Sequence, residues 1–347
     1  MRALTVQPGT HGSLALREMA EPDSSEGPVL VEGLLVGICG TDGDIVNAAT
    51  GRTPSNSDFL VLGHEGLGRV ISSDAPEIAV GDHVVGFVRR PDPVPCPACA
   101  VGEWDMCRNG RYTSHGISGR HGFARERWRA GPDGLVRVDL GLKDLGVLVE
   151  PASVVAKAWQ QIEHVGRRGY FAPRAVVVTG AGPVGLLAAM MGVHRGLDVH
   201  VVDIVTSGPK PDLVADLGAT YHSSGLSDVR VEADIVIECT GAPAVIMEVL
   251  RRGGPATVTC LMGMSPEATV VSVDVAGFNQ RLVRQNGVVV GSVNANRRHY
   301  EAAVAALAEA DFGWLSRLIS REVPLLTFAD AFERRPDDIK VVLRLAS

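Results

Sequence analysis

Residues 175–203 read AVVVTGAGPVGLLAAMMGVHRGLDVHVVD, and the fold turns on this stretch. Ala175–Thr179 is a short apolar run with strand character. Gly180-Ala181-Gly182-Pro183-Val184-Gly185 follows it as G-x-G-x-x-G, residues 183–195 read as a helix, and residues 199–203 form a second apolar run closed by Asp203. The glycine pattern carries meaning only where it leaves a strand and opens a helix, as it does here. Gly180 permits the tight turn, Gly182 lets backbone approach a pyrophosphate, and Gly185 allows close helix–strand packing. Pro183 stands in the first helical turn, where its missing N–H is harmless. The helix N-terminus offers free N–H groups and a positive dipole end to phosphate. Asp203 lies 23 positions after Gly180. A carboxylate there accepts from both ribose hydroxyls and repels a 2′-phosphate, which favours NAD. Lys210 is near enough in sequence to keep NADP open. The plainer alternative is a tight turn without a ligand and a surface acid at Asp203.

Outward from this stretch, strands and helices alternate. Strands are expected at 175–179, 199–203, 234–238, 256–261 and 288–291, and helices at 154–164, 183–195, 213–217 and 244–251. That alternation implies an α/β domain with a doubly wound parallel sheet, buried on both faces. The first 150 residues differ: strand candidates at 1–6, 29–36, 68–71 and 83–88 are separated by Gly, Pro, Asp and Ser. The tail reads as a helix at 300–308 and strands at 322–325 and 339–345, a return to the first domain. The expected division is 1–152, 153–294 and 295–347.

Composition bounds the function. The chain has 347 residues, 33 Lys+Arg against 40 Asp+Glu, a net charge of -7, and is 46% hydrophobic and 21% charged. Two domains fit that length, and disorder is excluded. The acidic balance argues against nucleic acid. Residues 175–193 carry no charge over 19 positions, but Gly180, Gly182, Pro183 and Gly185 interrupt them, so no membrane span is expected. The start lacks a signal-peptide pattern, which makes the cytoplasm the expected compartment and disulfides unfavoured.

The six cysteines must then be core residues, metal ligands or catalytic groups. Cys39, His64, Glu65 and Glu150 have the donor types of a catalytic zinc, but no short spacing links them, and ordinary buried roles stand as the alternative. Cys96-x-x-Cys99-x7-Cys107 sits in a polar, irregular segment, 91–119. Three thiols so spaced suit a structural zinc that staples the segment, with Asp92, Asp105 or His115 as fourth donor. A redox pair or idle thiols are the alternatives. Cys239 and Cys260 lie in apolar strand ends and read as core.

Taken together, the chain resembles the zinc-dependent medium-chain dehydrogenases over essentially its whole length, and within them the archaeal-type glucose dehydrogenases. The resemblance rests on Cys39-Gly40-Thr41-Asp42, Gly63-His64-Glu65, the three-cysteine lobe, Glu150-Pro151, and the glycine loop with Asp203. Val88-Arg89-Arg90-Pro91, Gly116-Ile117 before His121-Gly122-Phe123, and Gly291-Ser292-Val293-Asn294 carry the finer likeness. It implies a GroES-like catalytic domain built from both chain ends, a Rossmann domain between them, and an active site in the cleft. It implies a catalytic zinc on Cys39, His64 and Glu150, with Glu65 as alternate ligand or support. Thr240 and Asn294 join the glycine loop as cofactor-binding candidates. The implied reaction is hydride transfer between a substrate carbon and NAD(P), with zinc making the hydroxyl more acidic and Thr41 passing its proton on. Asp44 stands near the place of the family's relay histidine. A homodimer or homotetramer is the implied assembly.

Departures bear on the substrate. Val88, Ser114-His115 and Val154 stand where the glucose branch has polar or acidic residues. Lost partners for sugar hydroxyls weaken sugar selectivity. The expected substrate is therefore a secondary alcohol, sugar or polyol, with glucose itself not singled out. A cyclitol, amino-sugar or simple secondary-alcohol dehydrogenase is the enzyme alternative, and a zinc-stapled dinucleotide sensor the non-enzyme one.

Overall fold

A computed structural model describes residues 1–265 and 269–345. The chain divides into two compact units, Met1–Ser153 with Asn294–Ser347, and Val154–Val293.

The second unit is built on a six-stranded parallel sheet. From one edge its strands are Thr220–His222, Asp198–Val202, Ala175–Thr179, Ile235–Glu238, Val258–Leu261 and Val288–Gly291. In sequence order this is 3-2-1-4-5-6, the doubly wound arrangement. The central strands are apolar up to their last residues, Thr179 and Glu238, because both faces are covered: every residue of Ala175–Thr179 and Ile235–Glu238 is buried. Helix Pro183–His194 is also buried along most of its length. Gly192 lets it seat against the sheet, since a Cβ there would lie 3.1 Å from Val199 and 3.3 Å from Val176. Sequence reading found five of the six strands. It missed Thr220–His222, a three-residue edge strand with little apolar character. It also missed helix Val275–Arg284, which opens with the Asp274 carboxylate accepting from the Gly277 N–H at 2.9 Å.

The first unit centres on a seven-stranded sheet. Its path runs Leu135–Val138, His83–Gly86, Glu65–Ser73, Val29–Ile38, Lys340–Arg344 and Ile319–Pro324, with Arg127–Ala130 also paired to Val29–Ile38. Lys340–Arg344 lies antiparallel to Val29–Ile38, with Val341 opposite Ile38. The far end of the chain thereby supplies the strand next to the one that leads into Cys39. The core behind this sheet is packed around Phe123, Trp128, Leu4 and Leu62. Gly66 and Gly86 let Phe123 lie flush on the sheet, since a Cβ would come within 2.4 Å and 2.3 Å of its side chain. The first residues form a short strand, Arg2–Val6, and then a second, Ala15–Glu18, which pairs back antiparallel.

The segment expected to be irregular has local order. Single-turn helices Pro97–Ala100 and Trp104–Met106 are followed by Thr113–His115, which pairs with Arg89–Arg90 and Gly119–Arg120. The C-terminal portion holds this lobe in place: Asn296 Nδ2 donates to Asp105 Oδ1 at 2.7 Å, and Arg298 pairs with Glu103. Among the described residues no helix is long and apolar enough to cross a membrane.

Candidate active site

Strand Val29–Ile38 runs directly into Cys39, which caps helix Gly40–Val46. The thiol sulfur accepts the Thr41 N–H at 3.3 Å, and the Asp42 carboxylate accepts the Cys39 N–H at 3.0 Å. This reciprocal cap fixes both side chains before any ligand is considered. His64 enters after Gly63, whose φ of +82° suits glycine and whose Cβ would press on Val36 at 2.5 Å. Glu65 then opens the strand Glu65–Ser73. Opposite it, position 37 must be glycine, because a Cβ would sit 1.9 Å from Glu65 Oε2.

These elements bring Cys39 Sγ to 3.1 Å from His64 Nε2, and one ligand atom each of Cys39, His64 and Glu65 within 4.8 Å of one another. Asp42 Oδ1 lies 3.4 Å from His64 Nδ1, on the far side of the ring. That approach sets Nδ1 toward Asp42 and Nε2 toward Cys39. Lys340 Nζ reaches both Glu65 oxygens, at 2.7 and 2.6 Å, and both side chains of this ion pair are buried. Glu150, in the first turn of helix Val149–Gly166, is also buried but stands outside the 4.8 Å group. Thr41 is half-buried beside Cys39, and Asp44 is exposed on the same short helix.

The electrostatics show a site built for a cation. Burial opposes charge on His64, yet Cys39 and Asp42 hold it well above the ordinary imidazole value. Burial, reinforced by Glu65 and Asp42, lifts Glu150 above the usual carboxylate range. Three buried carboxylates, Asp42, Glu65 and Glu150, and the Cys39 sulfur converge on a single permanent cation, Lys340. Buried charges are stable only when paired or bound to metal. A soft sulfur, an imidazole nitrogen and carboxylate oxygens are a zinc donor set, and the excess of negative charge fits a dication.

The lobe holds the second cluster. The sulfurs of Cys96, Cys99 and Cys107 lie within 4.8 Å of one another, and Cys96 and Cys99 are 3.6 Å apart. Two thiolates on one tetrahedral zinc are separated by about 3.8 Å, from Zn–S bonds of about 2.3 Å. The spacing fits. Backbone N–H groups of Arg108 and Cys99 hold the Cys96 thiol down to about 6, while burial pushes Cys99 up to about 11. Among the described residues no fourth His, Cys, Asp or Glu joins the three. Asp92 accepts from Val94 N–H at 2.8 Å and from Asn109 Nδ2 at 2.5 Å, and His115 Nδ1 meets the His121 carbonyl at 2.7 Å. Cys260 is buried in its strand and pushed up to about 12 by burial, and Cys239 follows Glu238 half-buried.

In the second unit, Gly180 adopts φ +89°, and a Cβ on Gly185 would lie 1.8 Å from the Gly180 carbonyl oxygen. Around Gly182 a Cβ would meet nothing within 4 Å, so the backbone there is open to a ligand. Pro183 and Val184 begin the helix. Asp203 has a role that the motif did not disclose. Its Oδ2 accepts from the Ala181 N–H at 2.6 Å, and its Oδ1 from Ile204 and Val205 at 2.7 and 3.2 Å. It thus ties the glycine loop to the neighbouring strand. Lys210 Nζ stands 3.5 Å from Asp203 Oδ2. The Thr240 hydroxyl donates to buried Glu238 and accepts from the Ala242 N–H at 3.0 Å. Asn294, with φ +62°, accepts the Ala295 N–H at 2.8 Å.

Sequence reasoning missed Lys340 and gave Asp42 no role. A lysine inside the apolar run 339–345 was the available signal. Of the departures from the glucose branch, Val88 and Ser114 are both buried.

Comparison with known proteins agrees with this construction. Residues 25–139 match the family described as alcohol dehydrogenase GroES-like domain, and residues 143–345 match the glucose dehydrogenase C-terminus. The glucose 1-dehydrogenase of Thermoproteus tenax is 41% identical, with 99% of each chain covered. Glucose 1-dehydrogenase 1 of Caldivirga maquilingensis is 39% identical, again over 99% of both. The solved structure of Haloferax mediterranei glucose dehydrogenase in complex with NADP, Zn and gluconolactone superposes with a TM-score of 0.93 at 30% identity, covering 100% of both chains. The chain therefore belongs to the glucose dehydrogenase branch of the zinc-dependent medium-chain dehydrogenases, oxidoreductases of CH–OH groups.

Proposed function

We propose that the protein oxidises a hydroxyl of an aldose or polyol, with NAD or NADP as hydride acceptor, working as a cytoplasmic homodimer or homotetramer. The observation that carries this is the cluster of half-buried Cys39 with buried His64 and Glu65, and buried Glu150 as a further carboxylate, in a chain that also holds an open glycine loop. Cys39 and His64 would hold the zinc, with Glu150 and Glu65 as carboxylates able to complete it. Bound there, zinc supplies a Lewis acid that makes a substrate hydroxyl more acidic.

The chain's own residues do the rest. Asp42 keeps the His64 ring oriented, and Lys340 holds Glu65 in place through both carboxylate oxygens. The Thr41 hydroxyl, two residues from Cys39, accepts the substrate proton and passes it outward. The glycine loop and the helix after it hold the dinucleotide pyrophosphate. Asp203 accepts from the ribose, and Lys210 beside it supplies the charge for a 2′-phosphate. This arrangement supports use of both nucleotides. The Cys96, Cys99 and Cys107 thiols would hold a second, structural zinc. Free thiols at all six cysteines suit a reducing compartment.

An aldose is the favoured substrate because the H. mediterranei enzyme holds gluconolactone, the product of oxidising glucopyranose at C1. Val88, Ser114 and Val154 favour a broader range than glucose alone. The test is a reduction screen with NAD and NADP over aldoses, polyols, cyclitols and simple secondary alcohols. Aldoses or polyols should lead in kcat/KM by at least about tenfold, the size of a hydroxyl-recognition effect. Nucleotide binding with no oxidation of any alcohol would support the sensor reading instead.

A further inference from the structure

The missed edge strand carries a cluster that the dehydrogenase chemistry does not use. His200 on Asp198–Val202 and His222 on Thr220–His222 project from the same face of adjacent parallel strands, because His200 pairs with Thr220 and His222 with Val202. His200 Nδ1 lies 2.9 Å from His222 Nε2, with ring centroids 5.2 Å apart and planes inclined by 24°. On its other side, His200 Nε2 lies 3.2 Å from Asp198 Oδ2. The His200 side chain is 14% exposed and Asp198 is 64% exposed, so solvent ions reach the cluster.

The protons settle what these contacts mean. Asp198 accepts only if His200 carries its proton on Nε2, which leaves the Nδ1 lone pair facing His222. The free pair is then one N–H···N hydrogen bond donated by His222. Transfer of that proton through solvent to His222 Nδ1, a tautomer shift that keeps the ring neutral, leaves two imidazole lone pairs facing each other. A small outward turn of the two rings widens the gap to about 2.9–3.3 Å between nitrogens bound at about 2.0–2.1 Å to one metal. A carboxylate on the remote nitrogen of a ligating histidine is the recurring support of such ligands. Burial and Arg252 also act on His222 against a positive charge and Asp228 acts for it, while Asp198 faces His200.

We propose that His200 and His222, supported by Asp198, form a surface site for a nitrogen-seeking divalent transition metal such as Ni2+, Cu2+ or Zn2+. The ion would take the position of the shared proton, which moves to His222 Nδ1, and clip the edge strand to its neighbour. The clip acts near the nucleotide end of the sheet, since the His222 carbonyl accepts the Asp203 N–H at 3.1 Å. The inference stands whether or not the sugar substrate proposed above is correct.

The test uses untagged, zinc-loaded enzyme titrated with Ni2+ by calorimetry, with zinc content measured afterwards. The wild type should take up one Ni2+ per chain while retaining its zinc, and its Tm should rise with Ni2+ as expected for a ligand of the folded state. His200→Gln and His222→Gln should each weaken binding by tenfold or more and abolish the Tm rise, and Asp198→Asn should weaken it severalfold. Cu2+ on the unaltered protein gives an independent readout: an electron paramagnetic resonance spectrum with two imidazole nitrogens supports the site. No Ni2+ uptake, equal uptake by wild type and both histidine variants, or a Cu2+ spectrum with fewer than two imidazoles overturns it and leaves a proton-bridged pair.

Discussion

Lys340 shows how much of the site rests on one side chain. It is 1% exposed and meets both oxygens of Glu65, and it also donates to the Ile38 carbonyl at 3.3 Å. Removing one member of a buried ion pair leaves the other charged and unsolvated, at a cost of about 3–5 kcal/mol. Lys340→Met should therefore lower the unfolding free energy measured in urea by that much, while a double variant with Glu65→Gln should recover part of the loss. A single-variant loss below about 1 kcal/mol would show that Glu65 has another partner. Asp203 anchors the Ala181 N–H, and the proposed function adds the role of ribose acceptor. Asp203→Asn keeps one anchoring oxygen and removes the charge. It should raise KM for NAD and shift the NADP/NAD ratio of kcat/KM upward by about tenfold, with Lys210 released to meet a 2′-phosphate. An unchanged ratio would remove Asp203 from nucleotide selection.

At the scale of elements, the lobe is the part most dependent on a ligand. Its helices are single turns, and its cross-links are the three thiols and the Glu103–Arg298 and Asp105–Asn296 contacts. Metal analysis should find two zincs per chain. Cys96→Ser should leave one and make residues 91–119 the first site of proteolysis, because a short segment without a core depends on its staple. One zinc in the wild type, unchanged by Cys96→Ser, would show that the thiols are idle. Element by element, the sequence was readable where periodicity was strong. Ala175–Thr179 and Val288–Gly291 were placed to the residue. Thr220–His222 was not, because an edge strand half in solvent needs no apolar run. Helix Gly40–Val46 was not either, since its stability comes from the Cys39–Asp42 cap and not from an apolar face.

At the scale of the whole molecule, buried His115 and half-buried His121 make stability depend on pH on the acid side. Burial, aided by Arg125, lowers His121 to about 4, and burial, aided by Arg120, holds His115 well below its ordinary value. His121 Nδ1 accepts the Val61 N–H at 3.1 Å, a contact that protonation of that nitrogen destroys. The unfolded chain takes up these protons near pH 6.5, whereas the folded chain resists until about pH 4 for His121. Stability should therefore be fully present above about pH 7 and fall steadily as pH drops through 6.5 toward 4. Urea midpoints at pH 7.5 and 5.0 would measure the fall. His121→Asn keeps an acceptor for Val61 but does not titrate, so its fall should be shallower. An equal slope in both proteins would assign the acid sensitivity to other groups.

Read along the chain alone, the residues declare the α/β class, the order of the elements around the glycine loop and the donor types of the two candidate metal clusters. These are local properties: a strand–turn–helix needs its glycines in place, and an apolar strand declares a sheet covered on both faces. Only the tertiary structure decided which donors meet. Cys39 and His64 are 25 residues apart, and Lys340 reaches Glu65 across 275. Spacing along the chain cannot report contacts that a sheet makes by pairing its last strand with an early one. The same pairing turned a lysine in an apolar run into the counter-charge of the site, and adjacent parallel strands set His200 against His222.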